Sequence, residues 1–572
     1  MPLLTRTFVI VGLLIGAGIV LALVFKLTER RSASMLLVNG VVYTVNDRQP
    51  LAEAVALDGG KIAAVGTSED LLARFSASEI IDLKGRPVYP GFIDAHAHLE
   101  GLGAALMNLD LTGTRSAAEA AGLVAAAARD TVHGGWIRGR GWDQNRWPGK
   151  SFPTRQALDR VCPDVPVFLK RVDGHAAWVN SRVLTLAGIT RATPDPPGGR
   201  IILDERGNPT GVFVDNAVNA LEAVLPPPSD AERTEAIRRG VAECISYGLT
   251  EVHDMGVDIR GIELYQSMIA AGQFPFRVYV AVEGSAPGAW DHVRQSPPVT
   301  AGFDGRLTVR ALKLYADGAL GSRGAALFEP YADDPGNRGL TLTSRKELLT
   351  AATQALESGF QLCTHAIGDR ANAIVLDVYD EALAAQRNRA RDARFRVEHA
   401  QVLAPKEIAR FATLHVLPSM QPTHCTSDMP WAESRLGPVR VAGAYAWRSL
   451  LREGNTIPGG SDAPVESPNP LWGFYAAIAR QDREGQPAGG WHSDQRMSRD
   501  EALKSFTIWG AYAGFQERVK GSIEPGKWAD LVVLSDDIMR IEAEKIPDTM
   551  VEITIIGGSI VFRTASPGVA SR

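Results

Sequence analysis

Between residues 86 and 515, short apolar runs alternate with stretches of helical periodicity, and this alternation constrains the fold most. The runs end near His98, Asp173, His253, Val282, Lys313, His365, His399, Met420 and Ser461. Helices are predicted over 116–129, 230–247, 344–358, 370–387, 404–413 and 499–513. Strand then helix, repeated, builds parallel βα units. A closed barrel takes eight strands, so at least one of the nine candidates lies outside it or pairs as an extension. The Pro-, Gly- and Asp-rich stretch at 134–230 reads as a long excursion over the barrel mouth, ending at Pro226-Pro227-Pro228. The two ends of the chain differ from this middle. LLVNGVVYTV, EAVALDGGKIAAVG and EIIDL are strand-like runs separated by turns at Asn39-Gly40 and Asp58-Gly59-Gly60. GSIEPGKWADLVVLS and VEITIIGGSIVF answer them near the C-terminus. The expected fold is α/β: a (β/α)8 TIM-like barrel over 86–515, with a smaller discontinuous β-sandwich from 35–85 and 516–565.

The N-terminal segment, 1–34, bears on location. Phe8 to Phe25 is an uncharged run of 18 residues, preceded by Arg6 and followed by Lys26, Arg30 and Arg31. That is the lower limit for a membrane-spanning helix and longer than most signal-peptide cores. The leading expectation is an uncleaved anchor with the rest of the chain outside the cytoplasm. The alternative is export after cleavage near Ser32-Ala33-Ser34. Basic residues flank both ends, so the positive-inside rule fixes no orientation. A formal net charge of −5 without a basic block argues against a nucleic-acid partner. Cys162, Cys244, Cys363 and Cys425 are widely spaced, without a CxxC pattern, and are expected as buried free thiols.

Candidate chemistry sits at the ends of the strand-like runs, where an α/β barrel carries it. In DAHAH, His96 and His98 lie two apart after VYPGFI. Strand side chains alternate, so both imidazoles face one way and suit one metal ion. Lys313 in ALKLYADG, His365 in CTHAIGD, His399 in RVEHAQ and Asp462 in GGSDAPVE follow in order. A lysine buried beside a divalent cation loses its proton more readily and offers a free amine.

The order HxH, Lys, His, His, Asp resembles the metal-dependent amidohydrolase superfamily. The surrounding words are similar to its amidohydrolase-3 branch, which includes N-substituted formamide deformylases. The resemblance covers residues 36–563. It implies two divalent ions, with zinc expected: His96, His98 and Asp462 hold the first, and His365 and His399 the second. Lys313, carboxylated to a carbamate, bridges them. It implies a metal-activated hydroxide that attacks an amide carbon, with Asp462 moving the proton to the leaving nitrogen. Trp142, Asp143, Asp173, His175, Arg323 and His424, with Trp431, are the expected substrate contacts, and His175 is also placed to polarise the carbonyl. Asp369 and Glu398 are expected to orient imidazoles. His253, His292 and His415 are read as structural.

The expected activity is hydrolysis of a non-peptide C–N bond in a small linear amide, an N-substituted formamide or N-acyl amine. A cyclic amide or ester hydrolase, a mononuclear centre with Lys313 unmodified, and a non-catalytic membrane-tethered scaffold are the alternatives. A homodimer is compatible with the sequence.

Overall fold

The computed structural model describes residues 30–130 and 135–564. Seven parallel strands follow one another around a barrel: Phe92–Ala97, Leu249–Val257, Arg277–Glu283, Leu307–Tyr315, Gln361–Ala366, Arg396–His399 and Leu417–Ser419. The segment around Gly459 and Gly460 closes the ring. Gly460 N–H donates to Met420 O at 3.1 Å, and Gly459 O accepts from Ala95 N–H at 2.9 Å. It therefore pairs with the last strand on one side and the first on the other.

Several helices begin where sequence chemistry sets them. Ser229 with Glu232, Ser344 with Glu347 and Ser498 with Glu501 form reciprocal capping boxes. These satisfy backbone donors at the first turns of Asp230–Ser246, Arg345–Ser358 and Arg499–Ser505. The predicted helix at 499–513 is two helices, Arg499–Ser505 and Ile508–Ala513, parted at Thr507. The helix Pro422–Arg440 escaped sequence reading because Pro430 and Pro438 interrupt it.

The surplus strand candidate is the one ending before Asp173. Val167–Arg171 belongs to a separate six-stranded sheet with Leu109–Asp110, Ile137–Trp142, Ala176–Val179, Gly199–Leu203 and Pro209–Asp215. This sheet has its own core, in which Trp142, Trp147 and Trp178 pack ring to ring.

The β-rich part comprises two sheets. One has four strands, all from the N-terminal part of the chain, in the order Lys61–Gly66, Ala54–Asp58, Arg31–Val38, Phe75–Asp82. The other joins both ends: Leu531–Leu534 pairs with Val551–Ile556 on one side and Pro87–Pro90 on the other. Alternating apolar residues from both sheets, among them Leu37, Val55, Leu531 and Ile553, form one core. Among the described residues no helix is long and apolar enough to cross a membrane. The apolar run at 8–25 lies outside the described residues. All four cysteines are buried and free.

Candidate metal centre

The C-terminal ends of the barrel strands bring six of the sequence candidates together. His96 ends up wholly buried, and Lys313, His365, His399 and Asp462 are each less than one-tenth exposed. The His365 and His399 rings lie 4.6 Å apart, those of His96 and His399 4.8 Å, and those of His96 and His98 5.6 Å. Asp462 Oδ1 lies 3.1 Å from His98 Nε2 and 3.4 Å from His96 Nε2. Ligand atoms of His96, His399 and Asp462 lie within 4.8 Å of one another.

Local backbone explains why these groups converge. His399, Ala400 and Asp462 adopt φ of 73°, 42° and 59°. The left-handed region is costly for residues bearing a Cβ, so the surroundings must hold it. Asp94 supplies one such hold. Its Oδ1 accepts from the His96 and Ser461 N–H groups at 3.0 Å each, and its Oδ2 from the Ser461 hydroxyl at 2.5 Å. The strand bearing the two histidines is thus laced to the loop bearing Asp462. Gly460 permits the close approach, since a Cβ there would come within 2.6 Å of His96 N. Burial raises the Asp94 pKa to about 6.

A shell of polar partners holds the imidazoles. Glu398 Oε2 lies 2.6 Å from His96 Nδ1, and Gln421 Oε1 lies 2.7 Å from His399 Nδ1. Each contact leaves Nε2 for the interior of the cluster. Arg396, itself fully buried, braces Glu398 through Nε at 2.7 Å. Burial opposes the Glu398 charge, but the fields of Arg396 and His96 hold its pKa well below the usual range. Asp369 does not orient an imidazole; its Oδ1 accepts from Phe328 N–H at 2.9 Å. His253 sits in the barrel interior, its Nδ1 2.9 Å from Arg396 Nη1.

Electrostatics favour metal-ready forms. Burial, then the field of Lys313, lowers the His96 pKa to about 4. Burial likewise holds His365 and His399 well below the usual imidazole value, so all three are neutral at physiological pH. Lys313 Nζ lies 3.3 Å from His96 Nε2, and burial lowers its pKa. Asp317 does not pair with it; that carboxylate accepts from the N–H groups of Ala326, Ile367 and Gly368. For Asp462, burial is outweighed by the hydrogen bond with His98 and the fields of His96 and His399, so the carboxylate stays ionised.

The donor set fits a divalent cation. His365 Nε2 is buried and makes no hydrogen bond, its nearest carboxylate oxygen, Asp317 Oδ1, lying 3.5 Å away and already taken by the Ile367 N–H; this is a costly state for a polar atom that a metal ion would relieve. Neutral imidazoles beside one ionised carboxylate are the donors zinc and its neighbours prefer.

His175 and His424 join the cluster. The His175 ring lies 5.3 Å from that of His365, and its Nδ1 contacts Asp215 Oδ1 at 2.8 Å. Burial opposes the His175 cation, but the hydrogen bond with Asp215 and its field raise the pKa. Asp215, at φ 49° and the end of its strand, carried no motif in the sequence. The His424 ring stacks 5.8 Å from His399, with Nε2 3.7 Å from Asp462 Oδ2.

Other expected contacts stand apart. Trp142 is fully buried and donates from Nε1 to Leu169 O at 2.9 Å, so it serves the core of the six-stranded sheet. Asp143 and Asp173 both accept from Arg171, and Asp173 Oδ1 also takes the His175 N–H at 3.1 Å. They shape the turn that presents His175. Arg323 pairs with Asp333 at 3.0 Å beside a cavity that no imidazole lines, and Trp431 lines the same cavity.

Comparison with known proteins agrees with this geometry. Residues 79–562 match the amidohydrolase family. The chain is 34% identical over 532 residues to YtcJ of Bacillus subtilis, covering 91% of this chain and 98% of that protein. It is 30% identical over 547 residues to the N-substituted formamide deformylase of Arthrobacter pascens, covering 93% and 99%. The crystal structure of an uncharacterized metal-dependent hydrolase from Pyrococcus horikoshii superposes with a TM-score of 0.71 at 27% identity, covering 89% of this chain and 99% of that one. A barrel with this donor set, matched over most of its length to hydrolases, belongs to the amidohydrolase family.

Proposed function

We propose that the protein hydrolyses a linear amide, an N-substituted formamide or N-acyl amine, at a centre holding two divalent ions. One observation carries this reading: buried, neutral imidazoles converge with an ionised Asp462 where His365 Nε2 makes no hydrogen bond. His96, His98 and Asp462 would hold one ion, His365 and His399 the other, and Lys313 as a carbamate both. Ions held there supply Lewis acidity and make water nucleophilic near neutral pH.

The remaining work falls to side chains. Burial favours the free amine of Lys313. Its nitrogen bonds to the carbon of carbon dioxide and releases a proton, which leaves a carboxylate on the lysine. Asp462 takes a proton from the attacking water and delivers it to the departing nitrogen, without which an amine leaves poorly. His175, with Nδ1 held by Asp215, keeps Nε2 for the carbonyl oxygen of the substrate. Glu398 and Gln421 keep His96 and His399 in one tautomer. The Arthrobacter pascens relative is named for N-substituted formamides, which supports a small acyl group. The apolar run at 8–25, at the lower limit of a membrane-spanning length, is the feature that supports tethering at a membrane.

A one-ion reading draws on the closest triple, His96, His399 and Asp462, within 4.8 Å. Metal content separates the two. The reading as a whole is tested by offering N-formyl and N-acyl amines and measuring amine release. Turnover by the parent chain that vanishes in Asp462→Asn supports it. Equal turnover in that variant refutes the proton-moving role.

A further inference from the structure

Outside the imidazole cluster, a cavity of about 440 Å³ opens where residues 144–152 meet the helix Pro422–Arg440. Its walls carry three cations, Lys150, Arg323 and Arg435, against one carboxylate, Asp333. That carboxylate is shared, since Arg323 Nη2 lies 3.0 Å from Asp333 Oδ2 and Arg435 Nη1 donates to the same oxygen. Lys150 makes no ion pair among the described residues.

Arg435 is only 4% exposed, yet its Nε has no partner. Its Nη2 donates to Asn145 Oδ1 at 2.9 Å, and the Asn145 Nδ2 is again buried and unpartnered. Two buried donors side by side without an acceptor is a combination folded proteins rarely keep. Burial, then the field of Arg323, pushes the Arg435 pKa down. Lys150 and Arg323 also both adopt left-handed backbone, at φ 48° and 64°. Phe152 and Trp431 add apolar wall. The cavity is joined to the metal centre by Arg171. Its Nε donates to Gln144, a wall residue, at 2.8 Å, and its other nitrogens hold Asp143 and Asp173 beneath the His175 turn.

We infer that this cavity binds an organic anion: a compact apolar body against Phe152 and Trp431, with a carboxylate received by Arg435, Arg323 and Lys150. The volume lies within the range of small-molecule sites. The anion has two conceivable sources, the acidic end of the amide substrate or a separate free acid. The first rests on the amide-hydrolase reading given above; the second does not.

The test is calorimetric titration of the purified full chain with benzoate, using benzamide as the neutral isostere. Benzoate should fill one saturable site per chain, with benzamide at least about 10-fold weaker, the worth of one charge-assisted contact. Lys150→Met should weaken benzoate about 10-fold, and Arg435→Met more. Lys150 is exposed, so its variant keeps the test decisive if Arg435→Met fails to fold. Equal binding of benzamide would overturn the inference. So would parental benzoate affinity in both Lys150→Met and Arg323→Gln, which would assign the acid to the metal centre instead. Competitive inhibition by benzoate, with a raised KM and unchanged kcat for carboxylate-bearing amides in Lys150→Met, identifies the substrate's own acid. Benzoate binding that leaves KM unchanged identifies a separate acid. Failure to hydrolyse any amide would refute the catalytic reading and leave the calorimetric result standing.

Discussion

The two ends of the barrel treat buried polar groups in opposite ways. At the N-terminal ends of the strands, charges are matched. Arg277 donates to Asp530 through Nε and Nη2 at 2.7 and 2.9 Å, and the Gly557 N–H adds a third donor to Asp530 at 2.8 Å. Lys520 meets Glu251 nearby. The Arg277 guanidinium also lies 4.7 Å from the Trp528 ring. This end pins the barrel to the sheet containing Leu531–Leu534. At the C-terminal ends, imidazoles face one another, Lys313 faces His96, and His365 Nε2 makes no hydrogen bond, with Asp317 Oδ1 3.5 Å away. Like groups gathered so closely cost stability, and the expectation for such a barrel is that this end reacts while the other end holds.

That contrast can be broken by substitution, and the largest effect should come from Asp462. Asp462→Asn should lower kcat by about 10²–10⁴-fold, the worth of a positioned proton donor and acceptor. Its melting temperature should fall, because a carboxylate whose pKa its neighbours lower stabilises the fold while ionised, and Asn does not carry that charge. Steady-state kinetics and a thermal melt together check this.

At the opposite end, Arg277→Met should behave in reverse. It leaves the Asp530 carboxylate buried without its counter-ion, a change that costs about 3–5 kcal/mol. Denaturant unfolding should show the loss, while kcat per folded chain stays at the parental value. A variant as stable as the parent would remove the division of labour between the two ends.

Glu398→Gln probes the boundary between them. Glu398 touches His96 on one side and Arg396 on the other. The variant should weaken metal affinity about 10–100-fold, as loss of a ligand's hydrogen-bond partner does elsewhere. Competition with a fluorescent chelator measures it. Activity restored at saturating metal is the expected companion result.

The smallest effect is in acid. Burial opposes the Asp530 charge, but the field of and hydrogen bond from Arg277 lower its pKa below the usual carboxylate value. A lowered carboxylate stabilises the fold above its unfolded pKa of ~3.9, and that contribution fades as pH falls through the folded value. The stability difference between parent and Arg277→Met should therefore narrow below about pH 4. A gap that widens in acid would contradict the assignment.

What was legible in the sequence follows the same division. The metal-centre candidates could be read because each ends an apolar run, and because the two-residue strand period puts His96 and His98 on one side. The closing segment at Gly459-Gly460-Ser461 was legible as the end of a strand candidate and as a site loop, but not as the link back to the first strand, because its pairing with Ala95 joins residues hundreds of positions apart. Asp94 and Asp215 were silent, since each acts through a distant partner, Ser461 and His175. The tryptophans near 142 misled for a physical reason. An aromatic-rich stretch reads alike whether it lines a pocket or packs a sheet, and Trp142 does the second. Asp143 and Asp173 read as substrate contacts in the sequence, whereas Arg171 takes both carboxylates in the structure.

The most direct test of the account is metal content per chain, measured by elemental analysis on protein purified without chelator and supplied with zinc and bicarbonate. The account predicts about two divalent ions per chain, with a mass increment on Lys313 for the added carbon dioxide, and loss of at least one ion in His365→Ala. A chain that takes up no ion under those conditions, while its melting curve shows it folded, would contradict the claim that the open end of the barrel is a metal centre.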